Sequence, residues 1–413
     1  MPAKVVELLC ELIGLPSVNP RLAAAGEPAD GESHLTAWLT RHFDRAGWRW
    51  ATQTVHPGRD NVLALVPGGV GDVLLWEAHQ DTVSGQGMVV EPFTGEVRDG
   101  RVYGRGACDV KGGVAAMITA LDTIAAEPAA DRPHIVFAAT VNEECGFTGA
   151  RALADVWHTP DDSSLRPAAA VTPTGGLTLA ELRRLRPAAA VVAEPTELDV
   201  VVAHRGVVRF RTVVEGRAAH SSRPEQGANA IYGMMDVVRV IEEFHRVDLA
   251  ARAGDPLCGP STACVTTIHG GAGANTVPER AVIDVDRRLL PSESPEAAYE
   301  ELTSLLNARA RMGSCRLVHE PPWMQSRGLS SRANGAWAEH IAHVVRSTGA
   351  AGRIVGVPYG TNAASIAAVD IPVVVVGPGS IDQAHTADEW IAVAELDRAV
   401  EVFCRLARGA QGG

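Results

Sequence analysis

Apolar positions recur along this chain with two different periods. In VVELLCELIGL (5–15) and SHLTAWLTRHFDRAG (33–47) they return every three or four residues. Leu35, Trp38, Leu39 and Phe43 share one face and Gly47 marks a stop, so residues 3–50 are predicted mainly helical. Short continuous apolar runs then take over: NVLALV (61–66) and DVLLWEA (72–78), joined by the turn VPGGVGD. GGVAAMITALDTIAA (112–126) reads as a helix, HIVFAATV (134–141) as a strand ending in Asn142-Glu143-Glu144, and AAAVVAE (188–194) as a strand ending in Glu194. Buried strands alternating with helices predict an α/β layered sheet.

Residues 205–321 follow another order: strand GVVRFRTVVEG, helix ANAIYGMMDVVRVIEEFHRV, strand TACVTTIHG, strand RAVIDVDRRL, helix SPEAAYEELTSLLNARA, strand SCRLVHE. That βαββαβ order is the ferredoxin-like one and predicts a small domain on an antiparallel sheet. Beyond residue 322 the α/β pattern returns, with a helix near 332–348 and the strand IPVVVVG (371–377). The expectation is one α/β domain, formed by 1–204 and 322–413, interrupted by an inserted domain at 205–321. Residues 157–187 are Pro- and Ala-rich and read as a loop insertion with one short helix, TLAELRRL.

Composition narrows the function. A net charge of −12 over 413 residues argues against nucleic acid or an anionic membrane as the main partner. No apolar run reaches the ~18 residues of a membrane span. The start, MPAKVVELLCELIG, carries charges inside its apolar pattern and reads as an amphipathic helix rather than a signal peptide. Seven scattered cysteines without a C-x-x-C pair suit reduced thiols in the cytoplasm. Only Lys4 and Lys111 are lysine among 37 basic residues, which makes the internal Lys111 conspicuous.

The chemistry-bearing residues stand just past apolar strands or in a Gly-rich loop. They are His79 and Asp81, Asp109 in GRGACDVKGG, Glu143-Glu144 in TVNEECG, Glu194 in VVAEPT and His385 in GSIDQAHTADE. Ligands bind at the carboxyl ends of strands in open α/β sheets, so these positions are placed to converge. Singly each has a plainer reading: a surface turn for His79 and Asp81, a solvated loop for Glu143-Glu144, a helix N-cap for Asp109, a strand end for Glu194. The Gly-rich loop lacks the P-loop pattern. Together, two histidines and three carboxylates with a further glutamate free are the inventory of a two-metal hydrolase. Imidazole and carboxylate suit zinc. Asp81 is placed to accept a hydrogen bond from the non-ligating nitrogen of His79, and a glutamate beside a ligand glutamate can serve as general base.

These motifs, from LIGLPSVNP to HTADEW, resemble the M20 metallopeptidase family, which includes acetylornithine deacetylase, succinyl-diaminopimelate desuccinylase, aminoacylase-1 and glutamate carboxypeptidases. The resemblance implies a zinc-exopeptidase-like catalytic domain with an inserted ferredoxin-like lid and dimerisation domain, in a cytoplasmic homodimer. It implies two divalent metal ions, zinc first, with cobalt or manganese able to use the same ligands. His79 and Glu194 would bind one metal and Glu144 and His385 the other. Asp109 would bridge them, and its following peptide, Asp109–Val110, would be cis. Asp81 would orient His79, and Glu143 would activate water and later protonate the leaving amine. Lys111 falls in the family's D-x-K-G-G pattern. His220 would reach across the dimer to polarise the scissile carbonyl. Asn275 and Arg288 would contact the substrate carboxylate, for which arginine's planar fork is suited; a turn role for Asn275 and pairing of Arg287 or Arg288 with Asp284 or Asp286 stand beside that reading. Gly360-Thr361-Asn362 would be the active-site glycine loop. The activity implied is hydrolysis of an N-acyl amino acid or small peptide-like amide, deacetylase-like, with aminoacylase, dipeptidase or carboxypeptidase activity as runner-up. A non-catalytic metal-binding dimer recognising a peptide or amino acid is the alternative of another class, and the presence of Glu143 speaks against it.

The chain departs from the family pattern in three places. Glu77-Ala78 precede His79 where glycine or a small residue is common. Asn362 stands where the glycine loop often continues with Asp, which argues against a diamino acid substrate such as acetylornithine. The 157–187 stretch lengthens the distance between Glu144 and Glu194 and is expected at the surface, shaping the entrance.

Overall fold

A computed structural model describes residues 2–28, 30–158 and 170–409. The chain forms two compact units, one of residues 1–202, 331–355 and 361–413, the other of 203–330 and 356–360.

The first unit is built on a large mixed sheet. Seven of its strands lie in the order Val373–Val375, Ala189–Val192, Val73–His79, His134–Thr140, Arg59–Val66, Arg49–His56 and Val171–Gly175. The first four run parallel. Strands covered on both faces need apolar side chains on both, and Val73–His79 is buried along nearly its whole length. Helices Pro2–Ile13, Lys111–Ala125 and Val393–Ala407 pack together against this sheet through a core that includes Leu9, Met117, Ile118 and Phe403. Trp76 meets Phe403 at a ring separation of 5.2 Å. Gly47 ends helix Ser33–Ala46 at φ +71°, where its missing Cβ is an advantage.

Three elements lie outside the sequence expectations. Arg49–His56 is a strand, antiparallel to Arg59–Val66. Val393–Ala407 is a helix. Within the 157–187 stretch, Leu179–Arg184 is the short helix, with Thr178 and Glu181 forming a capping box, but Val171–Gly175 adds an edge strand to Arg49–His56. That strand lies four places along the sheet from Val73–His79, roughly 19 Å at the usual strand spacing. Val171–Gly175 is therefore remote from the strand of His79, while the stretch ends beside Val73, at the other end of that strand from His79. Residues 159–169 of the stretch lie outside the described residues.

The second unit carries an antiparallel sheet in the order Thr262–Gly270, Arg280–Leu289, Gly206–Glu215, Arg316–His319. Helices Ala230–Glu243 and Pro295–Arg309 bury Met234, Val237, Leu302 and Leu306 in a core with Phe210 and Ile283. Each is capped by its preceding residue. Asn229 accepts from the N–H groups of Ile231 and Tyr232, and Ser294 accepts from that of Ala297. The elements follow in the order strand, helix, strand, strand, helix, strand.

Candidate active site

Three adjacent parallel strands end at the same edge of the first unit's sheet. His79 closes Val73–His79 and pairs in register with Thr140, the last residue of His134–Thr140. Asn142, Glu143 and Glu144 follow Thr140 after one intervening residue, Val141, and Glu194 lies two residues past Ala189–Val192. The parallel ladder thus brings together carboxylates and an imidazole that are up to 115 residues apart in sequence.

Asp109 arrives from a loop. The Asp109–Val110 peptide is cis. Helix Lys111–Ala125 begins after Val110 without a side-chain cap, so the Asp109 carboxylate is not spent on capping. Its Oδ1 lies 3.0 Å from Nε2 of His79, and its Oδ2 lies 3.3 Å from Nε2 of His385. Nε2 of His385 is also 3.1 Å from Oε1 of Glu144. Ligand atoms of His79, Asp109 and Glu144 all fall within 4.8 Å of one another. Lys111 is fully buried and its Nζ donates to the carbonyl of Leu15 at 2.7 Å, so it ties the first helix's exit to this loop rather than facing solvent.

Asp81 works differently from the expectation. Nδ1 of His79 is 2.8 Å from the main-chain carbonyl of Asp81 and 3.6 Å from its carboxylate. The carboxylate instead accepts from Asn19 Nδ2 at 2.7 Å and from the N–H groups of Glu143 and Glu144 at 3.0 and 3.1 Å. The reason is local geometry: a carbonyl two residues on is already within reach of the ring, which frees the side chain for two backbone donors.

Sequence reasoning missed Glu389. This fully buried carboxylate accepts from the N–H groups of Cys108 and Asp109 through Oε1, and from Gly106 N–H and Arg105 Nη1 through Oε2. It fixes the loop that presents Asp109. The only signal was its place four residues after His385 in HTADEW.

The electrostatics call for a cation. Burial pushes Glu143 well above the ordinary carboxylate range, and the charges of Glu194 and Glu144 add to that push, with His79 opposing it. Burial likewise raises Glu194 well above its usual value, against His79 and with Asp109 reinforcing. Hydrogen bonds to Asp109 and Glu144 hold His385 up at about 11. Oε1 of Glu194 is buried with no hydrogen-bond partner, a costly state for a carboxylate oxygen that a bound cation relieves. Imidazole nitrogens and carboxylate oxygens are the donors that zinc-type ions take. The residues present therefore fit cation binding: His79, Asp109 and Glu144 are close enough to share an ion, His385 lies against Asp109 and Glu144, and Glu194 is left with an unpartnered oxygen. Glu143 itself makes no side-chain hydrogen bond or ion pair among the described residues.

The remaining predicted residues are placed as follows. Thr361 is buried, and its Oγ1 accepts from the N–H of Ala363. Asn362 is buried, with its amide nitrogen bonded to Glu77 and Thr140. Gly360, His220, Asn275 and Arg288 belong to the second unit. There His220 and Asn275 are exposed neighbours. His220 bridges to Thr276, and the Ser221 N–H donates to the Asn275 carbonyl. Arg288 donates from Nε to Asp286 at 2.7 Å, whereas Arg287 is buried and pairs with Glu293.

A family model described as peptidase family M20/M25/M40 matches residues 75–409. The chain belongs to this family. It is a metal-dependent amidohydrolase. Acetylornithine deacetylase from Proteus mirabilis (strain HI4320) is 29% identical over 412 residues, 97% of this chain and 95% of that one. Among solved structures, the M20 metallo-carboxypeptidase Sso-CP2 from Sulfolobus solfataricus matches with a TM-score of 0.75 at 15% identity, covering 98% of each chain. Bacillus subtilis YXEP, described as a dinuclear metal-binding peptidase of the M20 family, matches with a TM-score of 0.64 at 16% identity, covering 98% of this chain and 97% of that one.

Proposed function

We propose that this amidohydrolase removes the acyl group of an N-acyl amino acid, deacetylase-like, with two divalent ions, zinc first, held by His79, Asp109, Glu144, Glu194 and His385. The observation that carries the reading is Glu143: a carboxylate beside the ligand cluster, raised in pKa by burial and by its acidic neighbours, and free of any hydrogen bond that would occupy it. Ions bound there would supply Lewis acidity for the amide carbonyl and for water. Glu143 takes a proton from the attacking water and hands it to the departing amine nitrogen. Asp81 holds the Glu143–Glu144 backbone, and through its carbonyl the His79 ring. His220 donates to the carbonyl oxygen as charge develops there, and Asn275 and Arg288 receive the substrate carboxylate. Asn362 puts an amide, not a carboxylate, in the glycine loop, which favours an acyl amino acid without a second amine.

The second unit acts as lid and dimerisation domain, with His220 reaching the partner's site. Exposed Tyr232 and Met235 on helix Ala230–Glu243 and exposed Ile268 on the edge strand Thr262–Gly270 support a second copy as the occupant of that face. All seven cysteines are free thiols, and among the described residues no helix is long and apolar enough to cross a membrane; both accord with work in the cytoplasm.

A panel of N-acetyl amino acids and dipeptides, assayed with and without chelator, tests the reading. Chelator-sensitive release of acetate supports it. Turnover of dipeptides alone would move the chain to the dipeptidase or carboxypeptidase side of the family. No turnover of any amide with both ions bound would favour a non-catalytic binding role.

A further inference from the structure

Glu77 and Asn362, far apart in the sequence, touch one another. Glu77, fully buried on the strand that ends in His79, accepts at Oε1 from Thr140 Oγ1 at 2.5 Å and from Asn362 Nδ2 at 2.9 Å. Asn362 Nδ2 also donates to Thr140 Oγ1 at 3.0 Å, closing a triangle. Its three corners come from two neighbouring strands and from the turn that opens helix Ala363–Ala367. Glu77 and His79 alternate onto the same side of their strand, and Thr140 is the in-register partner of His79. The triangle therefore lies directly beneath the strand ends that present metal ligands.

Three polar groups in a core are expensive, and apolar side chains of the same volume would pack the strand and turn without that cost. What an apolar contact lacks is direction. A threonine hydroxyl donating to the carboxylate, and an asparagine amide nitrogen within reach of both of them, define a single placement of the turn against the strand. We propose that Glu77 is a positioning residue. Held by Thr140 and Asn362, it locks the Thr361–Asn362 turn to the strand end carrying His79, so that the substrate turn and the ligand strand form one rigid piece. The proposal rests on the reading of Gly360-Thr361-Asn362 as a substrate turn.

The test compares Glu77→Ala, Glu77→Gln and the double variant Glu77→Ala/Asn362→Asp in the metal-loaded protein. Two quantities are read: hydrogen-exchange protection of the 363–367 amides, and KM against kcat on the best N-acetyl amino acid. Glu77→Ala is expected to lower the protection and to raise KM about tenfold with a smaller change in kcat, the scale of one lost hydrogen bond. Glu77→Gln keeps an acceptor oxygen and is expected to recover both quantities. The double variant returns a carboxylate to the clasp from the turn and is expected to do the same. Unchanged protection in Glu77→Ala, or a double variant and a glutamine variant both as impaired as Glu77→Ala, would overturn the proposal. Lost protection with unchanged KM would overturn its link to substrate and place the fault in the substrate-turn reading. If Glu77→Ala fails to fold, the other two variants decide, since both must match wild type in protection and KM.

Discussion

His79 turns its Nδ1 toward the main-chain carbonyl of Asp81, at 2.8 Å, and not toward the Asp81 carboxylate, at 3.6 Å. The ring's orientation is thus a backbone property, and the carboxylate is released to hold Glu143 and Glu144 by their N–H groups. Asp81→Asn leaves the carbonyl in place but removes one acceptor oxygen. It is expected to lower kcat about 10–100-fold while the metal content per chain stays unchanged. Kinetics and metal analysis of the same sample check this. Loss of metal with kcat per bound ion unchanged would return the side chain to the role of His79's orienter.

Glu143 is assigned the proton traffic and no ligand bond. Glu143→Ala is expected to cut turnover by about 10²–10⁴ and to leave the metal content per chain unaltered. Stopped-time assays with elemental analysis measure both; an active variant would remove the base assignment.

Glu389 tests whether the loop of Asp109 needs its anchor. Glu389→Gln leaves one acceptor oxygen for the four donors, turns an amide NH₂ toward some of them, and removes the charge that pairs with buried Arg105. A loss of about 3–5 kcal/mol in unfolding free energy is expected, with weaker metal binding because Asp109 is no longer held. Denaturant titration and zinc affinity provide the check, and wild-type values for both would show the anchor to be dispensable.

Acid sensitivity has a named source in His204. Its Nδ1 donates to the Arg205 carbonyl and its buried Nε2 has no partner. Burial lowers its pKa from 6.5 to about 4. The unfolded chain therefore takes up this proton first as pH falls. Stability from this group is complete above about 6.5 and is lost as pH drops toward 4, by about 3 kcal/mol in all. Thermal midpoints measured from pH 7 to pH 4 are expected to fall less steeply in His204→Gln than in the parent; parallel slopes would clear His204.

The candidate cluster was legible because strands announce themselves by unbroken apolar runs, and His79, Glu144 and Glu194 stand at or just past the ends of such runs. Asp109 and His385 sit in loops, which carry no period, so the separate roles given to them came only from the family resemblance. Glu389 escaped because its partners are main-chain N–H groups about 280 positions earlier, which no spacing records. Asp81 was given the right neighbour and the wrong atom, for a sequence does not distinguish a residue's carbonyl from its carboxylate. The strand Val171–Gly175 was hidden by Pro173, which an edge strand tolerates and a central one does not. Helix Val393–Ala407 had a visible pattern in Leu396, Ala399, Val400 and Phe403, and its absence from the sequence expectations has no physical excuse.

The central claim is that two divalent ions in this ligand cluster and Glu143 together hydrolyse an acyl amino acid. The most direct measurement is a zinc titration of chelator-stripped protein, with acetate release from an N-acetyl amino acid followed at each step. The account predicts no release without metal, activity that rises to a plateau at two ions per chain, and none at any zinc level in Glu143→Ala. Full activity in the presence of chelator, or no hydrolysis with two ions bound, would contradict it.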